Sequence, residues 1–273
     1  MNTHRLLLTT AALGLLAAGC GDDTSTAGST TAPADATTTT DAAAPTTTAF
    51  PDPVIDPGDG GDYAPELDPA DFVATVDHPY YPLTPGSRWS YEEVDEEGQT
   101  EHIEVEVLDE TRDISGIAAT VVRDTASIDG VVREDTRDWF AQDQEGNVWD
   151  LGEATESFDE EGVSEGTEGS FEHGVDGAYG GIVMPADPQV GDAYRQEFKP
   201  GEAEDLGQVL DLSGTASVPF GDFEDVIVTR DWNPLEPEVI EEKYYAPGVG
   251  VVLETHVRGE GGNAELIDAT LVG

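Results

Sequence analysis

Apolar and polar residues alternate along much of the chain after about residue 70. Ile103, Val105 and Val107 are separated by charged side chains, which is the period of two expected of a strand with one buried face. Short stretches rich in Val, Ile, Thr, Tyr, Phe and Trp recur between Gly, Pro, Asp and Asn residues, and no window keeps an apolar helical period for three turns. The pattern predicts an all-β domain.

The boundaries of the predicted strands follow from the turn residues between them. The strands are predicted at 87–94, 100–108, 117–125, 131–142, 147–151, 193–199, 208–219, 222–232, 239–246, 249–258 and 264–272. A single helical turn is predicted at 201–206, where acidic residues near its start suit the positive end of the helix dipole.

The connections between these strands are short, which favours antiparallel pairing of sequence neighbours. Asp129 with Gly130 is one of several pairs that supply the backbone angles a tight hairpin needs. An open sheet with this many strands would leave exposed edges unless it closed or curled. The predicted fold is an antiparallel meander that forms a curled sheet, a half-barrel or a barrel.

The N-terminal segment has the features of an export signal. An apolar run at 6–18 follows Arg5 and is too short to span a bilayer as a helix. The small residues before Cys20 resemble the lipobox of bacterial lipoproteins, and this resemblance implies cleavage before Cys20 and attachment of lipid, including palmitate, to it. We therefore expect residues 1–19 to be a lipoprotein signal peptide and the protein to be exported and anchored by lipid to the cell membrane or outer membrane.

A linker and one domain are expected after the signal peptide. Residues 20–70 are rich in Thr, Ala, Pro and Asp without a hydrophobic period, so they are predicted to be a disordered, lipid-anchored linker. Residues 71–273 are predicted to form a single β domain. Cys20 is the only cysteine, which excludes a disulfide and a cysteine metal site within the chain.

The charge of the chain is strongly negative, with 59 Asp and Glu against 11 Lys and Arg. Such a surface repels nucleic acid, so no nucleic-acid partner is expected. We interpret the charge as a device for solubility and for adaptation to a salty medium, in which screening reduces self-repulsion.

A calcium site is a second interpretation of the acidic residues. Hard cations bind several converging oxygens, and an acidic, glycine-containing loop supplies them. The candidate metal ligands are Glu153, Glu156, Asp159, Glu160 and Glu161. Their spacing does not match an established calcium loop, and Ca²⁺ is the single cofactor considered.

Catalytic motifs are absent from the sequence. It contains neither an HExxH pair for zinc nor a GxSxG nucleophile elbow, and its histidines are scattered. His173, between Glu172 and Gly174, is the most suggestive of them, yet a loop histidine beside acids is usually solvated. No catalytic residue is predicted, and the protein is not expected to be an enzyme.

Tryptophan side chains are the remaining candidates for ligand contacts. Trp89, Trp139, Trp149 and Trp232 could line a cavity in a curled sheet or stack on a sugar, although such residues more often form a β-domain core. The partner is left open as a small ligand, a glycan or a protein.

Three segments resemble a set of uncharacterised bacterial exported lipoproteins. They are YYPLTPGSRWSYE at 80–92, DWFAQDQEGNVWDLGE at 138–153 and EKYYAPGVGVVLE at 242–254. The resemblance implies an all-β, lipid-anchored envelope protein and no assigned reaction. We expect a non-catalytic binding or structural module, and the alternative is a carrier of lipid or another apolar ligand in a half-barrel like that of outer-membrane lipoprotein carriers.

Overall fold

The computed structural model describes residues 62–95, 98–259 and 261–273. Their regular structure is almost entirely β-strand, which confirms the predicted class, and one 3₁₀ helix, η1 (Pro69–Asp71), precedes the strands. In chain order the strands are β1 (Asp77–His78), β2 (Tyr81–Pro82), β3 (Arg88–Val94), β4 (Thr100–Ile114), β5 (Ile117–Ile128), β6 (Val131–Gln142), β7 (Val148–Phe158), β8 (Ser164–Gly166), β9 (Phe171–Glu172), β10 (Tyr179–Met184), β11 (Ala193–Arg195), β12 (Glu197–Phe198), β13 (Leu206–Val218), β14 (Gly221–Trp232), β15 (Ile240–Ala246), β16 (Gly250–Arg258) and β17 (Asn263–Thr270).

Each predicted strand has a counterpart in the structure, but some lengths differ. β4 and β7 run further than predicted, and the predicted strand at 193–199 is divided into β11 and β12. The hairpin β1–β2 and the strands β8 to β10 were not predicted. β10 contains Gly180 and Gly181, which weaken the local preference for a strand and hide it from a pattern based on β-branched and aromatic residues.

The predicted helical turn at 201–206 is wrong. The carbonyl oxygen of Lys199 accepts hydrogen bonds from the N–H groups of Glu202 and Ala203, both at 2.9 Å, and the turn does not continue. Leu206 already begins β13 and pairs with Trp232. Strand pairing across the sheet therefore overrides the weak local tendency toward helix.

The main sheet has fifteen strands, and all its pairings are antiparallel. Its order is β11-β13-β14-β15-β16-β17-β3-β4-β5-β6-β7-β10-β12, with β8 and β9 also paired to β7. The C-terminal β17 pairs with β3 in the middle of the sheet. The sheet therefore has two arms, one made of β3 to β7 with β10 and β12 and the other of β11 with β13 to β17. The sheet is not closed, because β11 and β12 are its two ends.

The sheet curls so that its ends approach each other. A Cβ atom on Gly181 of β10 would lie 2.2 Å from the carbonyl oxygen of Arg195 in β11, so only glycine permits this approach. One apolar cluster joins side chains of both arms, including Ile103 of β4 and Ile227 of β14. The inner face of the curled sheet is therefore the core.

The two-stranded sheet β1–β2 lies across the inner face. Gln142 at the end of β6 binds Asp77 twice, through its Nε2 donating to Oδ1 at 2.8 Å and its Oε1 accepting from the backbone N–H at 2.9 Å. On the other side, the N–H of Gly248 donates to the carbonyl oxygen of Pro79 at 2.7 Å. This hairpin, residues 77–82, thus connects the two arms of the sheet.

A smaller apolar cluster occupies the outer face of β5, β6 and β7. Trp139 and Leu151 lie in it, and Leu67 and Phe72 from the segment before β1 pack against it. The phenolic hydroxyl of Tyr63 also donates to the carbonyl oxygen of Gly180 at 3.0 Å. Packing against the sheet therefore already involves residues 62–70, which the sequence assigned to the linker.

The signal peptide, Cys20 and the linker up to residue 61 lie outside the described residues, so the predictions for them stay predictions. Within the described part of the chain, no helix is long and apolar enough to cross a membrane.

Candidate functional site

A cleft of about 60 Å³ lies between the hairpin 77–82 and the inner face of β3 to β6. Its floor follows from strand register: Trp89 pairs with Val105, Val105 with Asp124, and Asp124 with Thr136. These four residues form one row across the sheet with their side chains on the same face. Regular alternation along four neighbouring strands thus places an acid among apolar residues.

Four aromatic side chains line the cleft, namely Tyr81, Trp89, Tyr91 and Phe140. The indole Nε1 of Trp89 donates to the carbonyl oxygen of Val249 at 2.8 Å, and the hydroxyl of Tyr91 donates to that of Val251 at 2.9 Å. The polar ends of these two rings are therefore bound to the backbone at the β15–β16 turn, and their carbon surfaces remain for the cleft.

Tyr81 belongs to the hairpin and covers the cleft from above. Its ring centroid lies 5.5 Å from that of Phe140 and 6.1 Å from that of Tyr245. Burial, followed by the nearby Asp138 and Asp150 carboxyls, raises the pKa of Tyr81 far above its ordinary value. Tyr81 therefore stays a neutral phenol at any physiological pH.

Asp124 is the most unusual residue of the cleft. The residue is only 1% exposed, and neither of its carboxyl oxygens has a hydrogen-bond partner among the described residues. Burial, followed by repulsion from Glu134 and Glu101, raises the pKa of Asp124 well above its ordinary value. A buried polar group without a partner costs free energy, so this carboxyl is a site at which a ligand atom would be stabilised.

Asp138 is the second carboxyl in the lining, and it is fully buried beside Glu153 on β7. The two residues are partners in the β6–β7 register, and Glu153 Oε1 accepts from the Thr155 hydroxyl at 3.0 Å. Burial raises the pKa of both carboxyls; repulsion from Asp150 and Asp124 adds to this for Asp138, and repulsion from Asp138 and Asp150 adds to it for Glu153. Both carboxyls therefore hold their protons to a higher pH than solvent-exposed carboxyls do.

A second buried ionic group lies on the same inner face, in β14, β15 and β16. Lys243 Nζ is 3.3 Å from Asp231 Oδ2 and 3.8 Å from Glu254 Oε2, and all three residues are at most 5% exposed. Burial lowers the pKa of Lys243, but Glu254 and Asp231 outweigh burial and the pKa lies well above its ordinary value. Lys243 is therefore a permanent internal cation.

Two histidines of the structure, His173 and His256, contact backbone groups. His173 is buried, its Nδ1 accepts from the N–H of Gly180 at 3.1 Å, and burial lowers its pKa. His256 contacts the Gly262 carbonyl oxygen through Nδ1 at 3.0 Å and Glu241 through Nε2 at 3.2 Å. Both ring nitrogens of His256 are thus in use, and it holds the loop before β17.

The structure does not bring the candidate metal ligands together. Glu153 faces the interior, whereas Glu156, Glu160 and Glu161 are exposed. Asp159 accepts from the N–H groups of Glu161 at 2.9 Å and of Val163 at 2.8 Å, so it closes a turn. Within the described ranges, no group of three His, Cys, Asp or Glu residues is arranged to hold a metal ion.

The four candidate tryptophans occupy three places. Trp89 lines the cleft, and Trp139 and Trp149 lie together on the outer face of the sheet. The guanidinium of Arg112 stacks 3.8 Å from the centroid of Trp139, and the Nε1 of Trp149 donates to Asp143 at 2.9 Å. Trp232 ends β14, opposite Leu206 and Ile240. Only Trp89 among the four therefore belongs to the cleft.

Sequence reasoning did not find Asp124 or Asp138. A sequence signal exists, because Val122, Asp124 and Ala126 share one face of β5 and an acid between two apolar residues is unusual on a buried face. The signal was hidden because the other face of β5 is also apolar in part, with Ala119 and Val121 buried, so alternation did not identify the inward side.

Comparisons with known proteins give neither a family nor an activity. No family model matches the chain, and no curated protein matches it. Among solved structures, a protein of Parabacteroides distasonis ATCC 8503, described as a candidate lipoprotein, has 11% identity and a TM-score of 0.34, with 70% of this chain and 98% of that chain covered. The resemblance to exported lipoproteins, stated from sequence motifs, stays a prediction.

Proposed function

We propose that the protein is a lipid-anchored, non-catalytic binding protein of the bacterial cell envelope and that the cleft under the hairpin 77–82 is its ligand site. The observation that carries this proposal is the Asp124 carboxyl, which is buried on a residue that lines the cleft and has no hydrogen-bond partner among the described residues. Such a carboxyl is stabilised when a ligand supplies the missing partner. Aromatic walls and a single well-placed polar group are typical of small-molecule sites.

The location rests on the N-terminal sequence. A short apolar run ends at small residues and Cys20, and acylation of Cys20 with two or more chains would give a stable anchor. The Thr- and Pro-rich linker would then hold the β domain away from the bilayer on the extracytoplasmic side.

The anchor is tested by the substitution Cys20→Ser. The variant is expected to lose incorporation of labelled palmitate and to move from the membrane fraction to the soluble fraction, because no other cysteine is present to accept lipid. The wild-type protein is the control and should carry the label. An unlabelled wild-type protein, or a Cys20→Ser protein that still sediments with membranes, would contradict the proposal.

A non-catalytic role is supported by the contacts of the histidine side chains. The ring nitrogens of His173 and His256 discussed above make contacts with backbone or carboxylate groups. A carrier of lipid receives no support, since apolar side chains fill the interior and a cleft of about 60 Å³ is too small for an acyl chain.

Blocking the cleft tests whether it binds a ligand. Val105 lines it and Val132, on β6, is an exposed valine away from it. We expect native mass spectrometry of the domain, purified from its own host, to show a small adduct for the wild type and for Val132→Phe, and to show none for Val105→Phe because the added ring fills the space. An adduct that persists in a folded Val105→Phe variant, or no adduct in the wild type, would contradict the proposed site.

A further inference from the structure

We propose that the cleft binds a compact organic cation, an alkylammonium or methylated ammonium group, with Asp124 as its counter-ion. This inference rests on the proposed function, because it specifies the chemical class of the ligand that the cleft would hold. Charge, aromatic lining, size and the absence of a metal geometry each favour this class.

The charge of the lining selects a cation. Asp124 and Asp138 are its two ionisable carboxyls, and none of the residues that line the cleft is Lys, Arg or His. The Lys243 ammonium, the buried cation of the other arm, is already held by Asp231 and Glu254. An anionic ligand would find no cationic side chain in the lining, whereas a cation would be attracted to a carboxyl that ionises on binding in an environment of low dielectric constant.

The aromatic lining selects an organic cation. Trp89 and Tyr91 present ring carbons to the cleft, since their polar atoms bind the carbonyl oxygens of Val249 and Val251. Phe140 and Tyr81 complete the walls. A cation over several aromatic rings is stabilised by their quadrupoles, and this arrangement is used for quaternary and methylated ammonium groups.

The size of the cleft limits the ligand. A cavity of about 60 Å³ corresponds to room for roughly five water molecules. A methylated ammonium group is of this size, while a sugar or an acyl chain is larger.

A bare metal ion fits the cleft poorly. Hard cations need several oxygen ligands that converge on one point. No such group of three side chains exists in the described part of the chain. Ring carbons and aliphatic side chains make up most of the lining, and they cannot replace the water shell of a metal ion.

Binding of a cation would change the protonation of Asp124. The groups that face this carboxyl are acids and phenols: Glu101 on β4, Glu134 and Asp138 on β6, Tyr91 on β3 and Tyr81 on β2. Asp135 acts on it from the opposite face of the sheet, where it binds Arg123. Burial and these acids raise the pKa of Asp124, so in the free protein this carboxyl holds its proton to a higher pH than an exposed carboxyl does. A bound cation favours the carboxylate, and we therefore expect proton release and an affinity that increases with pH.

The experiment is a calorimetric titration of the intact protein with choline and with its neutral isostere 3,3-dimethylbutan-1-ol, which has the same shape without the charge. Choline is expected to bind and the isostere to bind at least about tenfold more weakly. Asp124→Asn keeps the shape of the side chain and should reduce the choline affinity by about tenfold or more. Asp109→Asn is the matched control, because Asp109 is an exposed acid on β4 away from the cleft.

The outcomes separate this inference from the proposed function. Binding of choline that Asp124→Asn weakens and Asp109→Asn does not would support both. Equal binding of the alcohol and choline, or equal binding by wild type and Asp124→Asn, would overturn the inference that the ligand is a cation held by Asp124. The cleft would then remain a proposed ligand site. Displacement of choline by equimolar calcium or potassium would also overturn the inference that the ligand is an organic cation. Failure of choline and the alcohol to bind, together with absence of an adduct in native mass spectrometry, would overturn both proposals.

A second measurement does not depend on the folding of a variant. Wild-type titrations with choline in two buffers of different ionisation enthalpy report the number of protons released on binding. A net release near neutral pH supports a carboxyl counter-ion, and no release with unchanged affinity between acid and neutral pH overturns Asp124 in this role.

Discussion

Acidification from about pH 8 to about pH 5 is expected to raise the free energy of unfolding by several kcal/mol, because buried carboxyl groups keep protons in the folded state that they lose in the unfolded state. Ordinary acid denaturation has the opposite sign. The effect follows from the inner face of the sheet, where acids occupy positions that most β domains fill with apolar residues.

Asp205 gives the scale of this effect. Burial, the largest cause, raises its pKa from 3.8 to about 7, while its hydrogen bond with Glu197 and the charge of Lys243 act in the opposite direction. Below about pH 4 both states hold the proton, and from there to about pH 7 only the folded state does, so stability falls as pH rises through this window. For one such group the loss amounts to about 4 kcal/mol at most.

Other buried carboxyls act in the same direction. Burial raises the pKa well above the ordinary value for Asp124, Asp138, Glu153, Glu197 and Glu254. Burial lowers the pKa of His78 and His173. Their contribution to the free energy of unfolding is therefore lost as pH falls below about 6.5, in opposition to the carboxyls. The carboxyls are more numerous, and the net change should favour the acid side.

Unfolding by guanidinium chloride as a function of pH measures this effect, since the denaturant salt also screens repulsion between surface carboxylates. Asp205→Asn should flatten the dependence between about pH 4 and 7 by roughly one proton, because an amide cannot titrate there. Asp109→Asn changes an exposed residue and should leave the pH dependence of the free energy of unfolding unaltered. A free energy of unfolding that decreases steadily from about pH 8 to about pH 5 would contradict this account.

Lys243→Met is expected to reduce the free energy of unfolding by about 3–5 kcal/mol at neutral pH, since it leaves the Asp231 and Glu254 carboxyls buried without their cation. Met has nearly the length of the lysine stem, so the packing loss is small. The loss should diminish at acid pH, because burial raises the pKa of Glu254 and the protonated carboxyl needs no cation. Chemical denaturation at two pH values measures both quantities.

The other lysine of the chain is the matched control. Lys199 pairs with Glu202 on an exposed turn, and Lys199→Met should cost less than about 1 kcal/mol. Adding Glu254→Gln to Lys243→Met should recover part of the lost stability, because one of the stranded charges is removed. A cost for Lys243→Met as small as that for Lys199→Met, or no recovery in the double variant, would show that the buried group is not held together by charge.

The strands could be predicted because their determinants are local. β6 was predicted with the bounds it has, from a run of β-branched and aromatic residues that begins after Asp129 and Gly130. Those two residues adopt φ values of 53° and 77°, as a two-residue hairpin turn requires. Period and turn chemistry act over a few residues and are readable without knowledge of the partner strands.

The cleft could not be predicted in the same way. Its residues come from β2 and the residue after it, from β3, β4, β5 and β6, and from the start of β16, which are separated by up to about 170 positions in the chain. With 59 acids in the chain, no single acid stands out, and the pattern instead predicted candidate metal ligands in the acidic stretch at 153–161. Three of its five acids are exposed, whereas Asp124 and Asp138 are isolated in sequence and buried in space.

The sequence by itself determined the all-β class, the antiparallel meander and most strand positions, because period-two patterning and turn residues act locally. Only the tertiary structure decided which acids lie inside. That choice depends on the pairing of β17 with β3, on the curl that brings Gly181 to Arg195, and on the hairpin 77–82 across the interior. Burial converts identical side chains into solvated surface charges or into costly internal groups, and burial is a property of long-range contacts rather than of the local chain.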